Sequence, residues 1–346
     1  MQRRELPAGW DSKLPVFAAD AKGVAGRDAS GQVLNVLAQN VPWLLGGSAD
    51  LGPSNKTTLK FSGVGDLQPG TPGGRNLHFG IREHAMGATM NGLSLSKLRP
   101  FGATFFIFSD YARPAIRLSA LMELPTIFVF THDAMGDGED GPTHQPVEHL
   151  ASLRAIPGLT LIRPGDANEV VEAYRCIMQL RHRPAILVLS RQPLPTLDRT
   201  KYASANGVAR GAYILGDAPG VGVDNAPEVI LIATGSEVSL AVQAHEQLLA
   251  AGVRSRVVSM PSWDIFEQQS KDYRDSVLPP SVTARIAVEQ ASTFGWERYV
   301  GTSGRVVGMH TFGASAPLKA LQEHYGFEPD AVVAVAMEVL GRTKIG

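Results

Sequence analysis

The sequence is poor in cysteine, with Cys176 alone among its 346 residues. One cysteine cannot form an intrachain disulfide or a cysteine metal cluster. We expect this thiol to be buried and inert, because it lies in the apolar string VVEAYRCIMQL. No apolar run reaches the roughly 18 residues that a membrane helix needs. The N-terminal string MQRRELPAGWDSKLPVF also lacks the apolar stretch of a signal peptide, so we predict a cytoplasmic protein with no membrane partner.

Excess charge of one sign is also lacking. The chain has 32 Lys and Arg residues against 33 Asp and Glu residues, which gives a formal net charge of -1. This balance argues against binding to nucleic acid or to an anionic membrane. The expected partners are therefore small molecules or other protein chains. There is no internal repeat, and the length suits two globular domains.

Short β-rich runs alternate with helical patterns along the first half of the chain. This alternation is typical of a mostly parallel sheet whose strands are joined by helices. Strands are predicted at 43–48, 75–80, 101–108, 126–131, 159–164 and 185–190, and helices from Arg82, Tyr111, Val147 and Ala167. We expect Asp166 to cap the last of these helices, with Glu169 in its first turn.

After Arg191 the pattern lapses in QPLPTLDRTKYASANG, where prolines and small polar residues predict a linker. A second series follows, with strands at 228–235, 254–261, 284–290 and 305–310 and helices at 236–252, 316–326 and from Ala331. The predicted fold class is therefore α/β, with two domains that are each a mostly parallel sheet flanked by helices. The first covers 12–195, the linker 196–208 and the second 209–346.

The string GEDGPTHQP at 138–146 is the densest group of polar and turn residues. Its glycines and prolines cannot continue a helix or a central strand. We therefore predict a rigid loop that presents Asp140 and His144. Loops positioned by a rigid scaffold often carry function.

Further polar groups follow predicted strands, where open α/β sheets bind ligands. Glu83 begins the small, apolar helix HAMGATMNGL, which we expect to be buried. A carboxylate there would be partly desolvated, which suits holding or sharing a proton. The alternative is a first-turn glutamate that stabilises the helix dipole, and position alone favours neither. The remaining groups are Ser48 and Asp50, the aromatic set Phe105, Phe108 and Tyr111, His132 and Asp133, and Arg191.

The three aromatic residues are spaced three apart and could stack against a flat ring, although such a cluster is more often core. Arg27 and Arg191 lie at element edges and suit phosphate, although each alone is more often a surface ion pair.

A metal site is not expected among His132, Asp133, Asp140 and His144, because no HExxH or comparable spacing is present. General acid–base catalysis, or hydrogen bonding to a polyhydroxylated substrate, fits these residues better. The tripeptide GDG at 136–138, with Asn168 further along, loosely matches a diphosphate and magnesium motif. The residues between them do not form the single helix and strand that this motif requires.

Taken in order, several strings closely resemble transketolase: GGSADLGPSN, GIREHAMG, FxxFxDY from Phe105, THDAMGDGEDGPTHQP and LSRQPLP. The resemblance spans nearly the whole first predicted domain and is more diffuse in the second. It implies a pyrimidine-binding domain followed by a transketolase C-terminal-like domain. It also implies transfer of a two-carbon ketol unit from a ketose phosphate to an aldose phosphate, with thiamine diphosphate as cofactor.

The resemblance implies a role for each candidate residue. Glu83 would hydrogen-bond a ring nitrogen of the cofactor's aminopyrimidine, and Phe105, Phe108 and Tyr111 would hold that ring by stacking. Glu83 and His144 are the implied catalytic residues. The substrate-binding residues would be Asp140 and His144 at the ketose hydroxyls, and Arg27, Ser48, His132 and Arg191 around the sugar phosphate.

A transketolase normally begins with a further domain that binds the cofactor's diphosphate and its Mg²⁺ or Ca²⁺, and nothing in this sequence corresponds to it. The resemblance thus implies a shared site, a homodimer, and a diphosphate-binding domain or subunit as partner. The chain could be one subunit of a split enzyme or a fragment of a longer one. A dihydroxyacetone synthase-like enzyme and a non-catalytic dimerising module remain alternatives.

Overall fold

The computed structural model describes residues 5–222 and 225–342. Residues 1–4 of the N-terminal string and residues 343–346 of the predicted second domain lie outside the described part. The strands are β1 Asp20–Ala25, β2 Leu44–Ser48, β3 Asn76–His78, β4 Arg99–Phe105, β5 Ile127–Thr131, β6 Thr160–Ile162, β7 Ala185–Leu189, β8 Pro193–Thr196, β9 Tyr213–Asp217, β10 Val229–Ala233, β11 Ser255–Ser259, β12 Arg285–Ser292 and β13 Arg305–Met309.

Helices connect most of these strands. They are α1 Gly26–Asn40, α2 Gly52–Asn55, α3 Glu83–Leu95, α4 Ser109–Leu121, α5 His149–Arg154, α6 Ala167–Gln179, α7 Glu237–Ala250, α8 Trp263–Glu267, α9 Lys271–Val277, α10 Glu297–Val300, α11 Leu318–Tyr325 and α12 Pro329–Val339. Short 3₁₀ helices cover Phe106–Phe108, Met135–Asp140 and Ala205–Arg210. In the described ranges, every helix is too short or too polar to cross a membrane.

The first sheet has six parallel strands in the order β3-β2-β4-β5-β7-β6. Alternate residues of a strand point to opposite faces, and in β5 both faces are apolar. Ile127 and Val129 pack with α1 and α6, whereas Phe128 and Phe130 pack with α3, α4 and α5. Helices therefore cover both faces of the sheet, and all six strands carry their carboxyl ends to the same edge.

The second sheet has the order β13-β12-β10-β11-β9, and only β9 is antiparallel. Its strand β10 likewise packs against helices on both faces. Strands β1 and β8 form a separate antiparallel pair. The predicted fold class, two mostly parallel sheets flanked by helices, is confirmed.

Several local predictions differ from the structure. The strand predicted at 101–108 ends at Phe105, because the chain leaves the sheet edge there and turns into α4. The segment predicted as a linker, 196–208, begins inside β8 and ends inside the 3₁₀ helix Ala205–Arg210. The prolines of β8 are tolerated because it pairs with β1 alone, where backbone N–H groups can be lost.

Helix α3 is not enclosed on all sides as we expected. Its buried face carries Met86 and Met90, whereas Ala88, Gly92 and Leu95 are exposed. Cys176 is only partly buried, but burial raises the pKa of its thiol to about 12, so it stays protonated. The predicted cap of α6 is confirmed, since the Asp166 side chain accepts a hydrogen bond from the Glu169 backbone N–H at 2.8 Å.

A buried ion cluster joins the two sheets. The guanidinium of Arg163, which follows β6, lies 2.8 Å from Asp133 and 2.5 Å from Glu237 at the start of α7. All three side chains are almost fully shielded from solvent. Burial opposes the charge of Arg163, but Glu237 and Asp133 outweigh it and raise the pKa of the guanidinium.

A glycine is required beside this cluster. Gly235 has a φ of +54°, and a Cβ atom there would lie 2.5 Å from the Arg163 guanidinium carbon. Any larger residue would therefore strain the backbone and displace the ion cluster. Next to it, Glu289 of β12 binds Arg154 of α5 through two hydrogen bonds of 2.9 and 2.7 Å.

Replacing Arg163 tests the strength of this junction. Arg163→Ala leaves the Asp133 and Glu237 carboxylates buried without their cation, which costs about 3–5 kcal/mol in free energy of unfolding. Urea denaturation followed by circular dichroism measures the loss. Lys271→Ala, which removes the exposed pair between Lys271 and Asp275, is the control and should have a far smaller effect. Equal losses in the two variants would contradict the role of the buried cluster.

Candidate active site

The carboxyl ends of β2, β4, β5 and β7 lie along one edge of the first sheet, which we call the rim. The parallel register sets Ser48 against Ala103 and Phe105 against Thr131. Open α/β sheets bind ligands at such an edge because loops from several strands converge there. The residues singled out in the sequence at strand ends therefore belong to one surface of the molecule.

Phe105, Phe108 and Tyr111 form an aromatic platform on the rim. The rings of Phe105 and Phe108 are nearly parallel, with an interplanar angle of 8° and centroids 5.9 Å apart. Tyr111 lies 6.1 Å from Phe108 and is 64 % exposed. Phe105 and Phe108 are half-buried, so the platform combines one exposed ring with two that are partly accessible. The platform can thus stack against a flat ring.

Glu83 lies close to the platform because it contacts Thr104, the residue of β4 that precedes Phe105. It is the first residue of α3 and is 6 % exposed. The Thr104 hydroxyl, in the residue before Phe105, donates a hydrogen bond of 3.1 Å to Glu83 Oε1. A buried carboxylate next to an aromatic surface is well placed to exchange a proton or a hydrogen bond with a stacked ring.

His132 occupies a strained position at the end of β5. Its φ is +67°, in the left-handed region that costs a residue with a side chain about 1–3 kcal/mol. Its ring lies against Phe105, with centroids 3.6 Å apart. Such strain persists only where the surrounding structure enforces it, and it is concentrated at functional sites.

A hydrogen-bond relay orients the His132 ring. Ser48 Oγ donates to Asn55 Oδ1 at 2.6 Å, and Asn55 Nδ2 donates to Thr131 Oγ1 at 2.8 Å. Thr131 Oγ1 lies 2.7 Å from His132 Nδ1. Thr131 Oγ1 carries one proton and two lone pairs, so it can donate to Nδ1 or accept from it, and either contact holds the imidazole ring in one orientation.

The charge state of His132 follows from its surroundings. Burial lowers the pKa of its imidazole to about 3, and the nearby charges of Arg27, Arg191 and His144 act in the same direction. The ring is therefore neutral near pH 7. Its Nε2 faces Asp137 Oδ1 at 3.6 Å.

Part of the 138–146 segment lies against the aromatic platform. His144 is half-buried and lies edge-on to Phe108, with ring centroids 5.6 Å apart. Its Nδ1 lies 2.9 Å from the Thr143 hydroxyl. Asp140 is exposed at the end of the 3₁₀ helix Met135–Asp140. The first part of this segment is a 3₁₀ helix and not an irregular loop.

Two arginines approach the same region from other elements. Arg27, in the first turn of α1, donates a hydrogen bond of 3.2 Å to the Ser54 carbonyl, and burial above all lowers the pKa of its guanidinium. Arg191, which follows β7, is about half exposed, and its Nε lies 3.8 Å from Asp137 Oδ1. The rim thus carries two cationic side chains beside a neutral histidine.

Two candidate residues have structural partners in this structure. The Ser48 hydroxyl is engaged in the relay and also accepts from the Leu51 backbone N–H at 3.1 Å. Its direct contact with a sugar phosphate stays a prediction, and the geometry supports an indirect role through His132. Asp133 points away from the rim to Arg163 and belongs to the junction between the sheets.

Asp137 lies at the rim, but in the sequence it appeared only within the GDG tripeptide that was rejected as a diphosphate motif. Its side chain is fully buried, and neither carboxylate oxygen has a hydrogen-bond partner in the described part of the chain. Oδ1 lies 3.6 Å from His132 Nε2. Burial above all, and then Asp140, raise the pKa of Asp137 to about 7. No sequence signal separated Asp137 from the exposed Glu139 and Asp140 nearby.

One group of side chains has the spacing of a metal site. Asp110, Glu148 and His149 bring one ligand atom each to within 4.8 Å of one another. Both carboxylates are exposed, and exposed acidic groups often have this spacing without an ion. The group lies outside the residues that the sequence analysis considered.

The chain matches two family models. The transketolase pyrimidine-binding domain covers residues 22–196, and the transketolase-like C-terminal domain covers residues 211–328. The first of these alone matches half of the chain. The chain belongs to the transketolase family.

Curated relatives agree with this assignment. Transketolase from Geobacillus stearothermophilus is 53 % identical over 98 % of this chain and 50 % of its own length. The chloroplastic transketolase of Craterostigma plantagineum is 51 % identical over 97 % of this chain and 64 % of its own length. The chain thus spans about half to two thirds of the length of these transketolases.

Solved structures show the same relation. A transketolase from Leishmania mexicana superposes with a TM-score of 0.91 at 43 % identity, over 99 % of this chain and 49 % of that one. A structure described as a split gene transketolase, inactive beta4 tetramer, superposes with a TM-score of 0.72 at 25 % identity. In that case the match covers 92 % of this chain and 99 % of the other.

The raised pKa of Asp137 makes folding depend on pH. The folded protein holds this proton up to about pH 7, whereas an unfolded aspartate loses it near pH 4, so stability falls as pH rises between these values. Between pH 5 and pH 8 the wild type should lose roughly 2–3 kcal/mol of unfolding free energy relative to Asp137→Asn. Urea titrations of both proteins at the two pH values measure this. Parallel pH dependence in both proteins would contradict the assignment.

Proposed function

We propose that this chain provides the pyrimidine-binding side of a transketolase active site. Together with a diphosphate-binding domain or subunit, it would transfer a two-carbon ketol unit from a ketose phosphate to an aldose phosphate. The aromatic platform beside the buried Glu83 is the observation that carries this proposal. The pyrimidine ring of thiamine diphosphate requires an aromatic surface to stack against and a buried group that can exchange a proton with it.

The residues present fit this cofactor. Phe105 and Phe108 offer parallel ring faces, and Glu83 is held by Thr104 one residue from Phe105. Glu83 would donate or accept the proton of a ring nitrogen, and the platform would hold the ring flat. When bound, thiamine diphosphate supplies the electron sink that allows the ketose to break a carbon–carbon bond.

The substrate would lie along the same rim. His144 and Asp140, next to the platform, would hydrogen-bond the ketose hydroxyls near the reacting carbon. Arg27 and Arg191 would bind the phosphate as guanidinium donors, and His132 would donate from Nε2. Ser48 would support this contact through the relay that orients His132.

The chain by itself would provide only part of each site. The family resemblance assigns the diphosphate and its Mg²⁺ or Ca²⁺ to a domain other than the two that match here. A homodimer also forms part of the proposal, because most exposed residues of α3 are small or apolar, with His84 and Thr89 as the exceptions, and Leu118 and Leu121 of the adjoining α4 are exposed as well. A cytoplasmic location stays a prediction.

Two other functions compete with this one. A dihydroxyacetone synthase-like enzyme would use the same cofactor site and differ in its donor and acceptor. A non-catalytic dimerising module would not need a strained His132 or a relay that orients its ring, since such strain costs stability without a binding role. The split gene transketolase of similar length is described as an inactive beta4 tetramer.

The first test measures catalysis by this chain with and without a diphosphate-binding partner. Turnover of xylulose 5-phosphate with ribose 5-phosphate should be close to background for the isolated chain, because half of the cofactor's contacts are missing. It should rise when a diphosphate-binding domain of a related transketolase is added. Robust turnover by the isolated chain would refute the shared site. A profile of donor and acceptor sugars separates the synthase-like alternative.

Replacing Glu83 tests its role in the reconstituted enzyme. Glu83→Gln keeps the shape of the side chain but changes its protonation, so turnover should fall by at least about 100-fold, in line with a lost acid or base group. The free energy of unfolding should change by less than about 1 kcal/mol, the size of a first-turn dipole effect. Glu148→Gln, an exposed carboxylate on the same domain, is the control. An unchanged rate would leave Glu83 with the dipole role only.

A further inference from the structure

Asp137 has no structural explanation within the domain. It lies in the 3₁₀ helix Met135–Asp140 with its side chain fully shielded from solvent. A buried ionised carboxylate is costly unless it is paired and hydrogen-bonded. Among the described residues, neither of its oxygens accepts a hydrogen bond. Its nearest cation, Arg191, lies beyond hydrogen-bond distance at 3.8 Å.

The groups around Asp137 are those proposed to bind the substrate phosphate. His132 Nε2 lies 3.6 Å from Asp137 Oδ1, on the side of the ring opposite the relay. Arg27 Nε is also buried without a hydrogen-bond partner among the described residues. The charged and titratable groups that face Asp137 are Arg27 from α1, His132 and Asp133 after β5, Asp140 on its own helix and Arg191 after β7.

An anion at this point would meet two opposing effects. Arg27, Arg191 and the His132 N–H attract it, whereas an ionised Asp137 repels it at short range. A protonated Asp137 has no charge and carries an O–H donor for an anion oxygen. Binding of a dianion would therefore favour the protonated carboxyl, and removal of the anion would favour its ionisation.

We propose that Asp137 is a specificity-determining residue that couples binding of a phosphate-like dianion at Arg27, His132 and Arg191 to uptake of one proton. The proposal rests on the proposed function, since it takes these three residues as the phosphate site. It adds that the site binds the phosphate end of a sugar more tightly at lower pH. A neutral hydroxyl in place of the phosphate would not show this dependence.

Two observations support the coupling. Among the described residues the carboxyl accepts no hydrogen bond that would hold its charge, so its ionisation state responds to a ligand. Burial and Asp140 raise the pKa of Asp137 to about 7, which places its titration in the range where a coupled proton affects binding. His132 does not titrate in this range, because burial lowers its pKa to about 3.

Sulfate binding to the intact chain tests this coupling without cofactor or turnover. Sulfate is the probe because, unlike a phosphate ester, it does not titrate near neutral pH. Calorimetry at about pH 6 and about pH 8 should show that the wild type binds sulfate about tenfold more weakly at the higher pH. Asp137→Asn should bind with the same affinity at both pH values. Net proton uptake on binding near neutral pH should occur only in the wild type.

Two further variants separate the outcomes. Asp28→Asn removes an exposed carboxylate next to Arg27 and should keep the tenfold dependence, which excludes a general charge effect. Arg191→Leu should weaken binding at both pH values. Sulfate binding that needs Arg191 but is independent of pH would overturn the Asp137 proposal alone. Absence of binding at both pH values, or binding indifferent to Arg191, would instead contradict the phosphate site of the proposed function and with it the coupling.

Discussion

The buried guanidinium of Arg163 is the contact on which the arrangement of this protein depends. It lies between Asp133 of the first sheet and Glu237 of the second, so one cation holds two carboxylates out of contact with water. Buried charges with this geometry tolerate little displacement, because any separation leaves a carboxylate or a guanidinium unpaired. Asp133 directly follows His132, so the junction between the two sheets also holds the end of β5 in place. The second sheet therefore contributes to the site although the described platform comes from the first.

The rim combines rigid and adaptable parts. The parallel sheet brings the carboxyl ends of β4 and β5 side by side, and the left-handed backbone at His132 then turns its ring onto Phe105. The relay from Ser48 holds that ring in one orientation before any ligand binds. Asp137 differs from these residues because it accepts no hydrogen bond in the described part of the chain and can respond to a bound charge. Side chains that are already oriented lower the free-energy cost of binding a ligand. A single titratable group that accepts no hydrogen bond can make that binding depend on its protonation state.

Sequence reasoning recovered the strands of the first sheet and most of the second, because buried parallel strands are short apolar runs bounded by turn residues. It missed β1, β8 and β9. Strands β1 and β8 form a pair outside the main sheets and have no continuous apolar run, whereas β9 is a short edge strand whose apolar run covers only Tyr213 to Leu215. It also expected α3 to be enclosed, since composition does not reveal that one face of a helix lacks a partner within its own chain. The domain boundaries also stay a prediction, because the proposed linker contains regular structure.

The sequence by itself determined the fold class and the order of the rim residues, because periodicity and turn chemistry are local properties. The motif strings determined the family. Only the tertiary structure decided what each polar side chain faces. Ser48 supports a relay, Asp133 holds the second sheet, and Asp137 is the buried acid of a segment in which Glu139 and Asp140 are exposed. These differences depend on which groups meet across strands far apart in the chain, and burial and partner charge are set by those long-range contacts.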